Sequence, residues 1–162
     1  MLKVDEIVVC SFDTNIILSW ILADNLKQLK LINNILESTN FKKAYVSDVA
    51  ILESVWVMQS VYKMNKVRIV ENLEARTSYP KFVLNKSLFK SIIPLYLSSV
   101  RISFVDCYLA ASAESHDTSL LTFNVDLRKG VESVVLVGWF FRFNNELQLV
   151  HCGDAVVAAT RG

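Results

Sequence analysis

Three acids in this sequence stand where a carboxylate could do chemistry. Asp13 follows the apolar run IVVCSF at residues 7–12, Glu53 lies inside VAILESVWVM, and Asp106 lies inside ISFVDCYLAASA. Singly, each has an ordinary structural role: Asp13 as a helix N-cap, Glu53 as a helix-surface charge, Asp106 as a first-turn complement to a helix dipole. The surroundings of Glu53 and Asp106 argue for more, because nearly every neighbour is apolar and a carboxylate on a buried face needs a partner. Three carboxylates brought within about 5 Å would repel by roughly 3 kcal/mol per pair at an effective dielectric of 20. The total, about 10 kcal/mol, rivals the stability of a whole domain. No matching group of Lys or Arg lies beside them in the sequence. A hard divalent cation with oxygen ligands, Mg²⁺ or Mn²⁺, resolves that repulsion and equips such a site to activate water and clamp a phosphodiester.

The elements that must position these acids follow from the apolar pattern. The β-branched run at 7–12 predicts a strand, and Asp13-Thr14-Asn15 after it is a helix-capping sequence. Apolar residues at three and four spacing then predict helices over 16–23 and 26–36, with Asp24-Asn25 as the break. Residues 43–46 read as a second strand, Ser47 and Asp48 cap a long helix carrying Glu53, and another amphipathic helix runs over 66–76. A short extended piece at 82–84 precedes a helix from 85–87 to about residue 100, which Pro94 can kink. An alanine-rich helix at 105–114 is built for close packing, and strands follow at 119–123 and 133–137. Strands separated by helices, with strands expected to be buried on both faces, imply an open parallel α/β sheet covered by helices on both sides. Ligands of such sheets bind beyond the carboxyl ends of the strands, and Asn124 and Asp126 point to the same end as the three acids. Residues 1–137 form the expected domain. Residues 138–162 are an extension, with a hairpin expected over 139–150 around Asn144-Asn145 and no clear pattern over 155–162.

Composition sets limits on function. The chain has 162 residues, 52% hydrophobic and 20% charged, with 4 Gly and 2 Pro, which excludes disordered and collagen-like chains. Its mean hydropathy of +0.36 is high for a soluble monomer. Yet no stretch free of Asp, Glu, Lys and Arg exceeds about 10 residues, well short of the roughly 20 that span a bilayer. The surplus apolar surface is expected to face a partner, with the helices at 26–36 and 50–62 as candidate surfaces. A net charge of +1 gives no general pull on a polyanion, so nucleic-acid binding would need a metal or a local patch. Lys63, Lys66, Arg68, Lys81, Lys86, Lys90 and Arg101 are either a solvated helix face or a rim that guides phosphates. Cys10, Cys107 and Cys152 lack metal or redox spacing and read as small core residues of a reduced compartment, and the acids at Asp5 and Glu6 do not suit a secretory leader. The cytoplasm is the expected location. His116 and His151 are not spaced as a zinc pair and are expected to cap or lie at the surface.

The order and setting of SFDTNIILSWILADN, VSDVAILESVWVM and ISFVDCYLAASAESHDTSLLTFNVDL resemble the PIN-domain family over about residues 5–137, especially the VapC-type ribonuclease toxins of toxin–antitoxin pairs. The resemblance implies a PIN-like doubly wound open parallel sheet of four to five strands with helices on both faces. It implies an acidic, Mg²⁺- or Mn²⁺-dependent endoribonuclease site, an RNA substrate, an antitoxin partner and a homodimer, with no membrane. Carried over by position, the catalytic and metal-binding acids are Asp13, Glu53 and Asp106, with Asn15 and Thr122 as supporting polar groups. One position departs: Thr122-Phe123-Asn124 stands where the family usually carries Thr-Phe-Asp. Asn124 still offers a carbonyl oxygen to a metal or its water but no charge, and Asp126 substitutes if the loop bends. A noncatalytic PIN-like module that binds RNA or an antitoxin is the alternative. An aspartyl phosphatase would need Asp-x-Asp after the first strand, and a phosphoacceptor receiver would need paired early acids and a late Lys; neither pattern is present.

Overall fold

Short polar residues ahead of apolar runs start nearly every helix of the chain, because their side-chain oxygens accept the otherwise unpaired N–H groups of a first helical turn. The computed structural model describes residues 9–131 and the strands at 134–136, 139–143 and 146–150. After β1 (Val9–Phe12), Asp13 caps α1 (Thr14–Leu22), and Asn25 caps α2 (Leu26–Glu37) by accepting from the Lys27 and Gln28 amides at 3.1 and 3.2 Å. β2 (Lys43–Val46) leads through Ser47 into α3 (Asp48–Ser60), and Asn65 caps α4 (Lys66–Thr77). β3 (Phe82–Val83) is followed by α5 (Lys86–Ser98), which continues through Pro94, and by α6 (Phe104–Ser115). β4 (Leu120–Thr122), α7 (Val125–Gly130), β5 (Val134–Leu136) and the hairpin β6 (Trp139–Phe143) and β7 (Glu146–Val150) complete the order. The sequence reading did not anticipate α7, and residues 1–8 and 151–162 lie outside the described residues.

The sheet is parallel, as expected, and its strands form two ladders. β1, β2 and β3 pair in that order, with Phe12 opposite Val46 and Ala44 opposite Phe82, while β4 pairs with β5. Antiparallel pairing joins β6 and β7, with Phe143 opposite Glu146, as the hairpin pattern predicted. Burial along the first ladder alternates instead of running continuously as the sequence suggested: Phe12, Ala44, Val46 and Phe82 are buried, whereas Val9, Tyr45 and Val83 are exposed. Successive side chains point to opposite faces of a strand, so one face of this ladder meets the core and the other is open among the described residues.

The core fills the space between that face and the helices. Phe12 and Trp20 meet Phe82 at ring-centroid distances of 5.4 and 4.8 Å, fixing α1 over the sheet. Tyr96 of α5 and Phe104 of α6 cross edge to face at 5.0 Å, and Ala110 of α6 is fully buried, which bears out the close packing expected of the alanine-rich helix. Ile51, Val55 and Met58 put one side of α3 into the same cluster, so the opposite side, with Glu53, is turned outward.

Candidate active site

Two polar assemblies hold the three acids. In the first, Asp13 follows β1 and its Oδ1 accepts from the Ile16 amide at 2.9 Å as the cap of α1. One residue on, Thr14 Oγ1 donates to Glu53 Oε2, tying the start of α1 to the middle of α3 across 39 positions of sequence. Asn15 is exposed beside them. Glu53 is exposed too, which corrects the expectation of a buried acid. Apolar residues run round most of α3, so its outward side carries Val49 and Trp56 along with Glu53, and an apolar neighbourhood in sequence did not mean burial.

In the second assembly, Asp106 closes a reciprocal cap at the start of α6. Its Oδ2 accepts from the Ser103 amide at 3.1 Å and the Ser103 hydroxyl at 2.7 Å, while Ser103 Oγ accepts from the Asp106 amide. Asn124 Nδ2 adds a donor to the same oxygen at 3.3 Å. The other end of the Asn124 amide, Oδ1, accepts from the Asp126 and Leu127 amides at 3.1 and 3.2 Å and so caps α7. In this structure Asn124 therefore turns an N–H group toward the acid, and the carbonyl that the sequence reading offered to a metal is occupied. Thr122 Oγ1 accepts from the Asn124 amide at 3.0 Å and holds the loop that carries it. Asp126, half-buried, lies 3.7 Å from the exposed Arg101 in an ion pair at the surface that is worth little by itself.

Lys66 anchors the approach to this second assembly. Its Nζ donates to the carbonyls of Tyr96 at 3.0 Å, Ser99 at 2.7 Å and Ile102, and sits 4.1 Å from the Tyr96 ring centroid. It thus satisfies carbonyls at the end of α5 and in the link to Ser103, as a cation at a helix C-terminus should. Burial lowers its ammonium from the ordinary value, opposed by Cys107 and Asp106 nearby. Lys81 likewise donates to the Leu36 carbonyl at 2.8 Å, closing α2. These two leave the proposed phosphate rim, while Lys63, Arg68, Lys86, Lys90 and Arg101 are exposed. His116 is a cap, its Nδ1 2.7 Å from the Ser112 carbonyl; His151 and Cys152 lie outside the described residues. Cys107 is fully buried and Cys10 half-buried against the core.

The chemistry of the donor set suits a hard cation, since every candidate ligand is an oxygen. Each acid is fixed through one carboxylate oxygen, Asp13 by Oδ1, Glu53 by Oε2 and Asp106 by Oδ2, and the second oxygen of each has no hydrogen-bond partner among the described residues. No group of three or more His, Cys, Asp or Glu among the described residues lies close enough to enclose an ion. Sequence reasoning missed the residues that orient the acids. Ser103 was findable, being three positions ahead of an acid in the pattern of a reciprocal cap. Thr14 opposite Glu53, Lys66, and the link from Tyr108 Oη to Asp48 Oδ2 at 2.9 Å are long-range contacts with no local signature.

Among curated proteins no match is found. One family model, the PIN domain, matches residues 11–131. That span covers well over half of the sequence, from the end of β1 through β2, β3, β4 and α7, with both polar assemblies, and on this ground the chain belongs to the PIN domain family.

Proposed function

We propose that this chain is a metal-dependent endoribonuclease, the toxin of a toxin–antitoxin pair acting in the cytoplasm, with Asp13, Glu53 and Asp106 as its catalytic acids. PIN domains are generally a nuclease fold. The observation that carries the reading is the shared pattern of the three acids, each anchored by one oxygen with the other left open. A carboxylate oriented in advance in this way loses little freedom on taking up a ligand. Bound by the open oxygens, Mg²⁺ or Mn²⁺ would supply a Lewis acid for the phosphodiester and a water of lowered pKa. Thr14 orients Glu53, Ser103 and Asn124 orient Asp106, and Lys66 holds the chain that leads into Ser103. Asp126, two residues past Asn124, is the further carboxylate offered on that side, with Asn15 and Thr122 as polar supports.

The test is cleavage of total RNA by the purified protein, freed of any partner, with and without Mg²⁺ or Mn²⁺ and with end mapping. Cleavage that requires the ion and falls about 100-fold or more in Asp106→Asn and Glu53→Gln, in variants that keep a cooperative melt, is the expected result, since a weakened ligand removes several kcal/mol of charge stabilisation. Mn²⁺ should also broaden the amide resonances of residues 13–15 and 103–106 together, because the two assemblies would share the ion. A second reading, a PIN-like module that binds RNA or an antitoxin without cutting, is favoured by Asn124, whose amide gives Asp106 a neutral partner where the family usually has a carboxylate. Ion-independent RNA binding without new RNA ends would establish it.

A further inference from the structure

An open groove of about 560 Å³ runs between α1, the turn before α2 and the second half of α3. Its size falls within the roughly 300–1,000 Å³ of small-molecule sites. Glu53 lines it beside Thr14, and the groove continues along α3 to Val61, about 12 Å at 1.5 Å per residue. That is room for a nucleotide next to a bond held at the acids.

The lining says which part of a nucleotide fits. Its ionisable side chains are Asp24, Glu53 and Tyr62, with no Lys, Arg or His, so a phosphate would be repelled and an uncharged base would not. Leu18 and Val57 supply apolar surface for a ring face. Two polar groups are locked in place: Ser19 Oγ donates to Gln28 Oε1 at 2.8 Å, and Tyr62 Oη donates to Asp24 Oδ2 at 2.7 Å. The locks leave a donor, Gln28 Nε2, and an acceptor, Asp24 Oδ1. Guanine carries a matching edge, with O6 as acceptor beside N1–H and the exocyclic amino group as adjacent donors to a carboxylate; no other RNA base sets two donors next to an acceptor in this order.

We propose that this groove is a base subsite that takes an unpaired guanine of single-stranded RNA beside the scissile phosphodiester, with Asp24 reading N1–H and the amino group and Gln28 reading O6. The proposal deepens the nuclease reading and rests on it for the position of the cut. RNA specificity of this kind is read from unstacked bases by hydrogen bonds to their edges.

The experiment has two arms on the full chain. In the first, a pool of random-sequence oligoribonucleotides is cut in Mn²⁺ and the ends are sequenced. A guanine at one fixed position beside the cut is expected, with the preference over the other bases falling at least tenfold in Asp24→Asn and more mildly in Tyr62→Phe. In the second, guanosine and adenosine are titrated and the Gln28 side-chain amide is followed by NMR. Guanosine should shift it at lower concentration than adenosine, and Asp24→Asn should erase the difference. Cleavage without a fixed base, or a preference unchanged in both variants, overturns the groove assignment and leaves the nuclease standing. Guanosine binding that depends on Asp24, in a protein that cuts no RNA, keeps the groove assignment and removes the nuclease reading. Equal response to both nucleosides overturns the groove assignment whatever the first arm shows.

Discussion

Asn124 uses both ends of one amide, capping α7 with its oxygen and meeting Asp106 with its nitrogen. An Asp at this position would keep the cap, since a carboxylate oxygen accepts the same two amides, but would set a negative oxygen against Asp106 in place of a donor. Asn124→Asp should therefore lower stability in chelator by about 1–3 kcal/mol, the loss of a charge-assisted hydrogen bond plus a partly screened repulsion. Added Mn²⁺ should return that loss and more, because the new carboxylate strengthens the attraction for a divalent ion, and RNA cleavage should rise with it. Thermal melts in chelator and in Mn²⁺ measure the first effect and end-labelled RNA the second. A variant as stable as the parent in chelator and indifferent to Mn²⁺ would sink the electrostatic account. Asp126→Asn, which removes a weak surface pair with Arg101, is the control. Damage to cleavage equal to that of Asp106→Asn would make Asp126 the fourth acid, and the gain from Asn124→Asp would then be small.

At the scale of elements, α6 joins the acid site to the core, with Asp106 at its first turn and Cys107 fully buried next to it. Burial pushes the Cys107 thiol up to about 12 from 9.0, and burial likewise pushes the Tyr96 hydroxyl up to about 12 from 10.0. Both groups stay neutral in the fold at a pH where the unfolded chain has already lost the protons. Their contribution to stability is present below pH 9, declines as the pH rises from 9 toward 12, and is gone above that range. Melting temperature should fall steeply across that window, and Cys107→Ala should make the fall shallower while lowering stability modestly at pH 7. An equal alkaline slope in the variant would show that the thiol is not responsible. The elements themselves were readable because caps are local: Asp13, Asn25, Ser47, Asn65 and Asn85 each precede an apolar run. α7 was missed because six residues with Val125 and Leu127 as their only large apolar side chains show no helical period. The places of the acids were legible, Asp13 after a strand and Glu53 and Asp106 within helices, but their anchoring was not: Thr14 meets Glu53 and Lys66 meets Ile102 only once the chain has folded.

Many large apolar side chains are exposed among the described residues, and those on the two helices singled out as candidate surfaces are prominent among them. Leu26 of α2 is 77% exposed and Trp56 of α3 is 60% exposed, with Leu31 and Val61 also open. Covering such side chains is favourable at about 25 cal/mol per Å², and a stable interface needs about 800 Å² from each partner. We therefore expect a homodimer that buries α2 or α3, with an antitoxin helix as the competing occupant of the same surface. Light scattering on the purified chain should return twice 18.4 kDa at micromolar concentration. Leu31→Glu on α2 and Trp56→Glu on α3 separate the candidates, because a charge buried without a partner costs several kcal/mol only on the helix that forms the interface. Dissociation by one substitution and not the other names that helix, and the monomer so produced should keep its melting cooperativity, since neither side chain belongs to the core. A parent chain that stays monomeric at high concentration and takes up no amphipathic helix would show that this apolar surface serves no assembly. The exposed face of the β1-β2-β3 ladder, with Val9, Tyr45 and Val83, would then be a further surface to test by charge substitutions of the same kind.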